Sequence, residues 1–261
     1  MTGGHCDNNL LPHIYQASAA GVANGADAIR AKVCSNMKYG ADVIKFTATG
    51  GVLSRNTDVN ASQYSLAEMQ ALVAEAHDRG AIVAAHAHGA EGIKLAIRSG
   101  VRGIEHASLI DDEGIALAKA RGTYLVMDVY NGDYIAEVGR RDGWSADILR
   151  KNDETTDAQR QGFARAVKAG VKLPFGTDAG VFPHGLQARQ FAYMVRFGMT
   201  PLQAIRSATT VAAEFLGWDK DVGSLTPGHY ADMIALRKNP LADVTELERV
   251  VHVIKGGVVV R

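Results

Sequence analysis

From about residue 24 to about residue 200, stretches in which apolar residues return every three or four positions alternate with short β-branched runs. That alternation predicts βα units building a parallel sheet. The clearest unit opens at Ser65-Leu-Ala-Glu68, a capping box, after which Leu66, Met69, Leu72, Val73 and Ala76 share one helical face. Gly80 supplies the left-handed stop, and Ala81-Ile-Val-Ala-Ala-His86 reads as a buried strand. The unit recurs. A helix near 90–99 ends at Gly100 before Val101–His106, and another near 111–121 ends at Gly122 before Thr123–Asp128. A helix near 156–169 stops at Gly170 ahead of Val171–Thr177, and one near 26–39 leads through Gly40 into Asp42–Thr47. Five parallel strands follow from this reading. Helices over 187–197 and 201–216 complete the series, the second with Thr200 as N-cap and Pro201 at its first position.

Such a series fits a (β/α)8 TIM barrel or a large piece of one. A doubly wound open sheet competes, but no GxGxxG follows any strand, so a nucleotide-binding reading has no motif behind it. After residue 217 the pattern changes to Gly223–Gly228, Ala231–Leu236, Val250–Ile254 and Val258–Val260, short strands joined by turns. The expected organisation is therefore a barrel domain over 1–217 and a small β-sandwich segment over 218–261.

Composition narrows the function classes. Lys plus Arg equals Asp plus Glu at 28 each, and no basic run occurs, so nothing favours nucleic acid or an anionic membrane as partner. A small neutral or zwitterionic substrate fits better. Cys6 and Cys34 are too few for a disulfide framework and lack metal-type spacing. The chain shows no signal-peptide pattern and no run of eighteen apolar residues, so a cytoplasmic location is expected if the sequence is complete.

Four residues fall at or near the C-terminal ends of separate predicted strands, the face where barrel enzymes assemble their sites: Lys45, His86, His106 and Asp178. Lys45 sits in an apolar strand, where burial would require its ammonium to be paired or neutralised; alone it also reads as a lysine paired to a carboxylate. His86 and His106 end successive strands, and neutral imidazole is the commonest zinc ligand, although either one alone also reads as a hydrogen-bonded core histidine. Asp178, between glycines in Gly176-Thr-Asp-Ala-Gly180, reads either as a site carboxylate or as a helix N-cap. The alternation His86-Ala-His88 places two imidazoles on one side of a strand, which leaves open a two-histidine clamp.

In order and spacing, Val43–Gly51, Val83–Gly89, Gly103–His106, Gly176–Gly180 and Gly223–Asp232 resemble the amidohydrolase superfamily. The nearest group is the imidazolonepropionase-like branch, which holds Xaa-Pro and other dipeptidases together with ochratoxin-cleaving carboxypeptidase-like enzymes. The resemblance implies a barrel with a binuclear metal centre, usually zinc, in which a carboxylated lysine bridges the ions. On that resemblance Lys45 matches the lysine, His86 and His106 the histidines of the next two strands, and Asp178 the last aspartate, both ligand and proton acceptor. His88 then lies just behind the ligands, in reach of substrate. The HxH motif of the family's first barrel strand is absent from this sequence, and Thr2–Asp7 resembles the loop after its third strand. The expectation is thus an N-terminally incomplete barrel with one metal per chain, unless a partner supplies the HxH pair.

The resulting expectation is a metal-dependent hydrolase of an amide or peptide bond in a dipeptide or N-acyl amino acid. Arg55 and Tyr130 are candidates for holding the substrate, Arg55 because a guanidinium fork suits a carboxylate; either could equally be solvated or structural. The alternative is a catalytically impaired fragment persisting as an oligomeric scaffold. Self-association is expected in either case, because missing strands leave sheet edges that invite pairing. A nuclease or phosphotriesterase would use similar metal chemistry, but no basic phosphate clamp is present.

Overall fold

A computed structural model describes residues 1–7 and 20–261 of the chain. Its elements run α1 (Ala26–Lys38), β1 (Val43–Thr47), α2 (Leu66–Asp78), β2 (Ile82–Ala87), α3 (Ala90–Ser99), β3 (Gly103–His106), α4 (Asp112–Arg121) and β4 (Tyr124–Val126). The helices α5 (Asn131–Arg141), α6 (Ala146–Ala169), α7 (Arg189–Arg196), α8 (Pro201–Ser207) and α9 (Thr210–Leu216) follow, then β5 (Met233–Ala235), β6 (His252–Lys255) and β7 (Val258–Val259). Strands β1 to β4 form a parallel sheet in sequence order. The last three strands form an antiparallel sheet, order β5-β6-β7, and among the described residues it is one sheet rather than two facing each other. No described helix is long and apolar enough to cross a membrane.

Register sorts the parallel strands into two faces. Ile44 pairs with Val83, Phe46 with Ala85, Ala85 with Ile104 and Ile104 with Leu125; all are buried in one core cluster with Ile29, Met69, Ile93, Ile97 and Phe163 from the helices. The opposite face carries a row of Lys45, Ala84, Gly103 and Tyr124, and above it a row of Thr47, His86, Glu105 and Val126. Phe215 of α9 closes the lower end of this inner face, its ring 5.1 Å from that of Tyr124 and so near Gly103 that a Cβ there would collide with it.

Local signals explain most elements. The capping box at Ser65 and Glu68 is formed, Thr200 and Gln203 form a second, and Gly100, Gly122, Gly170 and Gly217 cap their helices in the left-handed conformation. Three expectations differ from the structure. Val171–Thr177 is extended beside β4 but forms no regular ladder: Leu125 N–H donates to Lys172 O, while Phe175 N–H turns to Ser207 O and Gly176 O accepts from Gln190. The expected helix over 201–216 breaks into α8 and α9 at Ala208–Thr209, where Ala208 and Thr209 N–H donate to the carbonyls three residues back and Thr209 Oγ1 donates to Ile205 O.

The third difference is α6, which starts at Ala146, capped by Ser145, ten residues earlier than the apolar pattern indicates. Its buried positions, Lys151, Asn152, Thr155, Gln159, Gly162, Phe163 and Ala166, keep helical spacing throughout. The first four are polar, so a search for an apolar stripe finds only the second half.

Candidate active site

Above the sheet's C-terminal edge lies a cavity of about 460 Å³, within the range of small-molecule sites. It wraps the outer strand, lined by Ile44 and Phe46 on one side of β1 and by Lys45 and Thr47 on the other. His5, His86, His88, His106, Asp128 and Asp178 line its polar end.

The imidazoles converge. Ring centroids of His86 and His88 are 4.7 Å apart, those of His86 and His106 4.7 Å, and those of His88 and His106 4.8 Å. One ligand nitrogen from each lies within 4.8 Å of the others, and a second group, His106, Asp128 and Asp178, meets the same limit. His86 reaches the inner face by simple strand alternation, and His88 follows it two residues on. His106 does not. Its strand partner is Ala87, a core residue, so alternation aims the side chain at the helices. A left-handed kink, φ 69° at His106 and 49° at Ala107, swings it back, with Ala107 N–H donating to Glu105 O across a three-residue turn. Non-glycine residues held in this region are strained and persist where the surroundings enforce them.

Here the enforcement is visible. His106 Nδ1–H donates to Asp128 Oδ1 at 3.0 Å, and Gln159 Nε2 donates both to His106 O (3.0 Å) and to Asp128 Oδ1 (2.8 Å). Asn131 Nδ2 donates to Asp128 Oδ2. Burial alone would raise the Asp128 carboxyl, but His106 and these donors hold it well below the usual carboxylate range. On His106 burial opposes a charge, and Asp128 outweighs it, so the imidazole titrates above its ordinary value. Burial, together with the neighbouring His106 charge, keeps His86 and His88 neutral. His86 Nε2–H donates to Gly50 O at 3.3 Å, and His88 Nδ1 meets Ser108 Oγ at 2.8 Å. Each ring thus has one nitrogen engaged by the protein and the other open to a ligand, the tautomer control that metal-binding histidines show.

This donor set fits a divalent metal: two neutral imidazoles fixed in orientation, a third, His106, backed by a carboxylate and able to give up its proton to a metal, and further carboxylates at the rim. The Oδ1 of Asn131, buried in the cavity wall, has no hydrogen-bond partner among the described residues. Such an orphaned acceptor awaits a donor from water or ligand.

The structure brings His86, His88, His106 and Asp178 together, with Lys45 on the same cavity wall. Lys45 is not buried as expected. Because β1 is the outer strand of the described sheet, its inner side is open: Lys45 is exposed and makes no ion pair with a described residue, so the argument from a desolvated ammonium does not apply. Asp178 sits at the cavity mouth with φ 53°; partial burial pushes its carboxyl up, against the pull of His106 and Lys45. Arg55 lies exposed on the β1–α2 loop, off the cavity wall. Tyr130 is buried away from the cavity between Phe182 and Tyr193, its hydroxyl accepting from Arg189 Nη1 at 3.2 Å.

Among the polar cavity residues that escape the sequence reading are His5, Asp128, Asn131 and Gln159. Asp128 was within reach, since Tyr124, Val126 and Asp128 alternate inward just as His86 and His88 do. His5 stacks on His86, ring centroids 4.2 Å apart, with Nδ1 2.5 Å from Ser54 Oγ; burial is the main reason it titrates at about 4. Its approach requires Gly51, whose Cβ would collide with the ring. Asn131 opens α5, whose other buried positions are Ile135, Val138 and Gly139, and Gln159 lies on the polar half of the buried stripe of α6; nothing in their neighbourhood marks either.

Comparison with known proteins agrees with this geometry. The family model described as "Amidohydrolase family" matches residues 8–260. Ochratoxinase from Aspergillus niger is 36% identical over 262 residues, covering 95% of this chain and 52% of that protein, and its crystal structure superposes with a TM-score of 0.85 over 99% of this chain and 63% of the other. A Xaa-Pro dipeptidase with methionine bound in its active site superposes with a TM-score of 0.93 at 40% identity, covering 99% of this chain and 65% of that one. A prolidase complexed with N-methylphosphonate-L-proline gives a TM-score of 0.87 at 32% identity, over 92% and 60%. The chain spans about half the length of the curated relatives it matches. With an α/β fold of parallel strands like those of the TIM-barrel amidohydrolases, a small antiparallel sheet at its C-terminal end and imidazoles gathered above the strands, the chain belongs to the amidohydrolase family.

Proposed function

We propose that this protein hydrolyses an amide bond in a dipeptide or N-acyl amino acid, with one divalent metal, zinc, held at Lys45, His86 and His106. The observation that carries the reading is the convergence of His86, His88 and His106 within 4.8 Å, with His106 locked by Asp128. A metal in this place would lower the pKa of a water molecule and polarise the scissile carbonyl. The chain's own residues do the rest. Asp178, at the cavity mouth with its carboxyl pushed up by burial, accepts the proton of the attacking water and returns it to the leaving amine. Lys45 reaches the cavity from β1, and carboxylation by carbon dioxide would convert it into an anionic ligand; its support is its strand position and the family pattern, not burial. His88, neutral and tied to Ser108, stands beside the reacting carbonyl, and the orphaned Asn131 Oδ1 offers an acceptor for a substrate N–H.

The substrate class is supported by the relatives: an ochratoxinase, a prolidase and a Xaa-Pro dipeptidase with an amino acid in its site. The deciding experiment is metal analysis of the purified chain together with a panel of dipeptides and N-acyl amino acids. About one zinc per chain with turnover is expected, since three protein ligands and water suffice for a catalytic site. Two zinc ions per chain would reject the single-site assignment, and neither metal nor turnover would favour the scaffold.

Self-association is part of the proposal. Among the described residues no strand pairs with the outer edge of β1, and Leu225, Val258, Val259 and Val260 around the antiparallel sheet are exposed. Light scattering at micromolar concentration should find an oligomer; a monodisperse monomer rejects it.

A further inference from the structure

Lys151 is among the largest fully buried side chains of the described residues, yet it ends in a charge. It stands on the polar half of α6, with Nζ 2.6 Å from Ser54 O, 3.3 Å from Gly51 O, 3.4 Å from Thr57 O and 2.9 Å from Asp147 Oδ2. Its three N–H donors therefore face four oxygens, three of them backbone carbonyls of one loop about a hundred residues away. Carbonyl oxygens turned inward on a common centre make a cation site, and here the chain supplies the cation.

The loop so gathered joins β1 to α2 and forms part of the cavity. Val52 and Leu53 line it, Gly50 O accepts from His86 Nε2, Ser54 Oγ meets His5 Nδ1, and Gly51 lets the His5 ring approach. Asn56, in the same loop, has φ 57°, a conformation that needs support from its surroundings. Val52 and Val59 anchor the two ends of this segment in a small apolar cluster with Ile135, while Leu53, Arg55, Asn56 and Asp58 between them are exposed.

We propose that Lys151 is a positioning residue, the built-in cation of a carbonyl cage that fixes the 51–57 loop and, through Gly50 and Ser54, the orientation of His86 and His5. Shortening the side chain should leave a cage that accepts a small primary ammonium ion. The consequence for catalysis rests on the hydrolase reading above, whereas the cage itself does not.

Limited trypsin digestion at Arg55, exposed in the loop, reads the cage directly. Lys151→Ala should be cut at Arg55 at least about ten-fold faster than the unaltered chain, because a locally opened loop is cleaved in proportion to its open population. Cleavage at Arg121, exposed at the end of α4, should not change. Added n-propylammonium should restore protection at Arg55 to within about two-fold, whereas tetramethylammonium at equal ionic strength, with no N–H to donate, should not. Lys151→Met, whose stem fills the channel, should be open and not rescued. Asp147→Asn, which keeps the carbonyl cage, should stay within about two-fold of the unaltered protein. Unchanged cleavage in Lys151→Ala, equal rescue by both cations, or loosening by Asp147→Asn as large as by Lys151→Ala would each overturn the proposal. Should Lys151→Ala not fold, acetic anhydride treatment of the unaltered native chain decides it. Lys151 must remain unmodified while exposed Lys38 reacts, and equal modification overturns the cage. A chain with intact protection but no hydrolysis of any dipeptide refutes the hydrolase reading alone.

Discussion

The two faces of the parallel sheet are made by the same four strands and obey opposite rules. Facing the helices, Ile44, Phe46, Val83, Ala85, Ile104 and Leu125 are buried among apolar side chains, and each contributes by being removed from water. On the inner face, one residue further along each strand, Lys45, Thr47, His86 and Glu105 carry nitrogen and oxygen, the first three in the cavity wall. The first face tolerates change of identity within a volume; the second tolerates change of volume only where the donor atoms survive. Stability and chemistry are thereby separated by a period of two, and a one-residue shift of register would exchange them.

The largest effect should come from breaking this division. Ile104→Asp places a carboxylate on the core side, where the Ile104 side chain is fully buried, and should cost about 4 kcal/mol or more, seen as loss of cooperative urea unfolding. Adjacent positions sharpen the contrast. Ile44→Ala should cost about 2–5 kcal/mol by chemical denaturation, whereas Lys45→Ala should stay within about 0.5 kcal/mol. Metal content should respond in reverse, lost from Lys45→Ala, regained in part with short carboxylic acids, and kept by whatever fraction of Ile44→Ala folds. A Lys45→Ala protein with full metal content would remove Lys45 from the site.

Smaller effects probe the support behind His106. Asp128→Asn removes the carboxylate that fixes the His106 ring and should weaken zinc affinity about 10–100-fold, read by competition with a chelating dye. Ala107→Gly relieves one left-handed residue and should gain about 0.5–1 kcal/mol in thermal unfolding. It should also lower zinc affinity, because the kink that aims His106 becomes looser. A gain in stability without loss of affinity would mean that Asp128 and Gln159 alone set the ring. At the helix ends, remote from both faces, Ser65→Ala should cost about 1 kcal/mol through loss of the capping box and leave hydrolysis unchanged.

Much of this was legible along the chain. Alternating apolar periods located β1 to β4 and the helices between them, because each buries its apolar side against the next element and carries its own stop signal. Lys45, His86, His106 and Asp178 stood out because strand ends share one rim. The first half of α6 was not legible. Its buried stripe is Lys151, Asn152, Thr155 and Gln159, and a polar stripe is hidden from a search for hydrophobic period. Nor was Val171–Thr177 legible as a segment without a ladder, since its carbonyls are satisfied by Gln190 and Lys172's partner Leu125 in no sheet-like sequence.

What the sequence alone determined is therefore the order and type of the elements from α1 to β4 and the positions of the candidate ligands, for these follow from local propensity, capping and period; α5 carried no signal that was read. Where the side chains point was decided by the tertiary structure. Strand alternation assigns His106 to the core side, and only the left-handed turn, held by Asp128 from β4's end and by Gln159 from α6, sends it into the cavity. Lys45 reads as buried within its strand and is exposed because no described strand lies beyond β1; Tyr130 reads as a rim residue and is enclosed by Phe182 and Tyr193. Each of these outcomes depends on contacts between residues far apart in sequence, which no local pattern encodes.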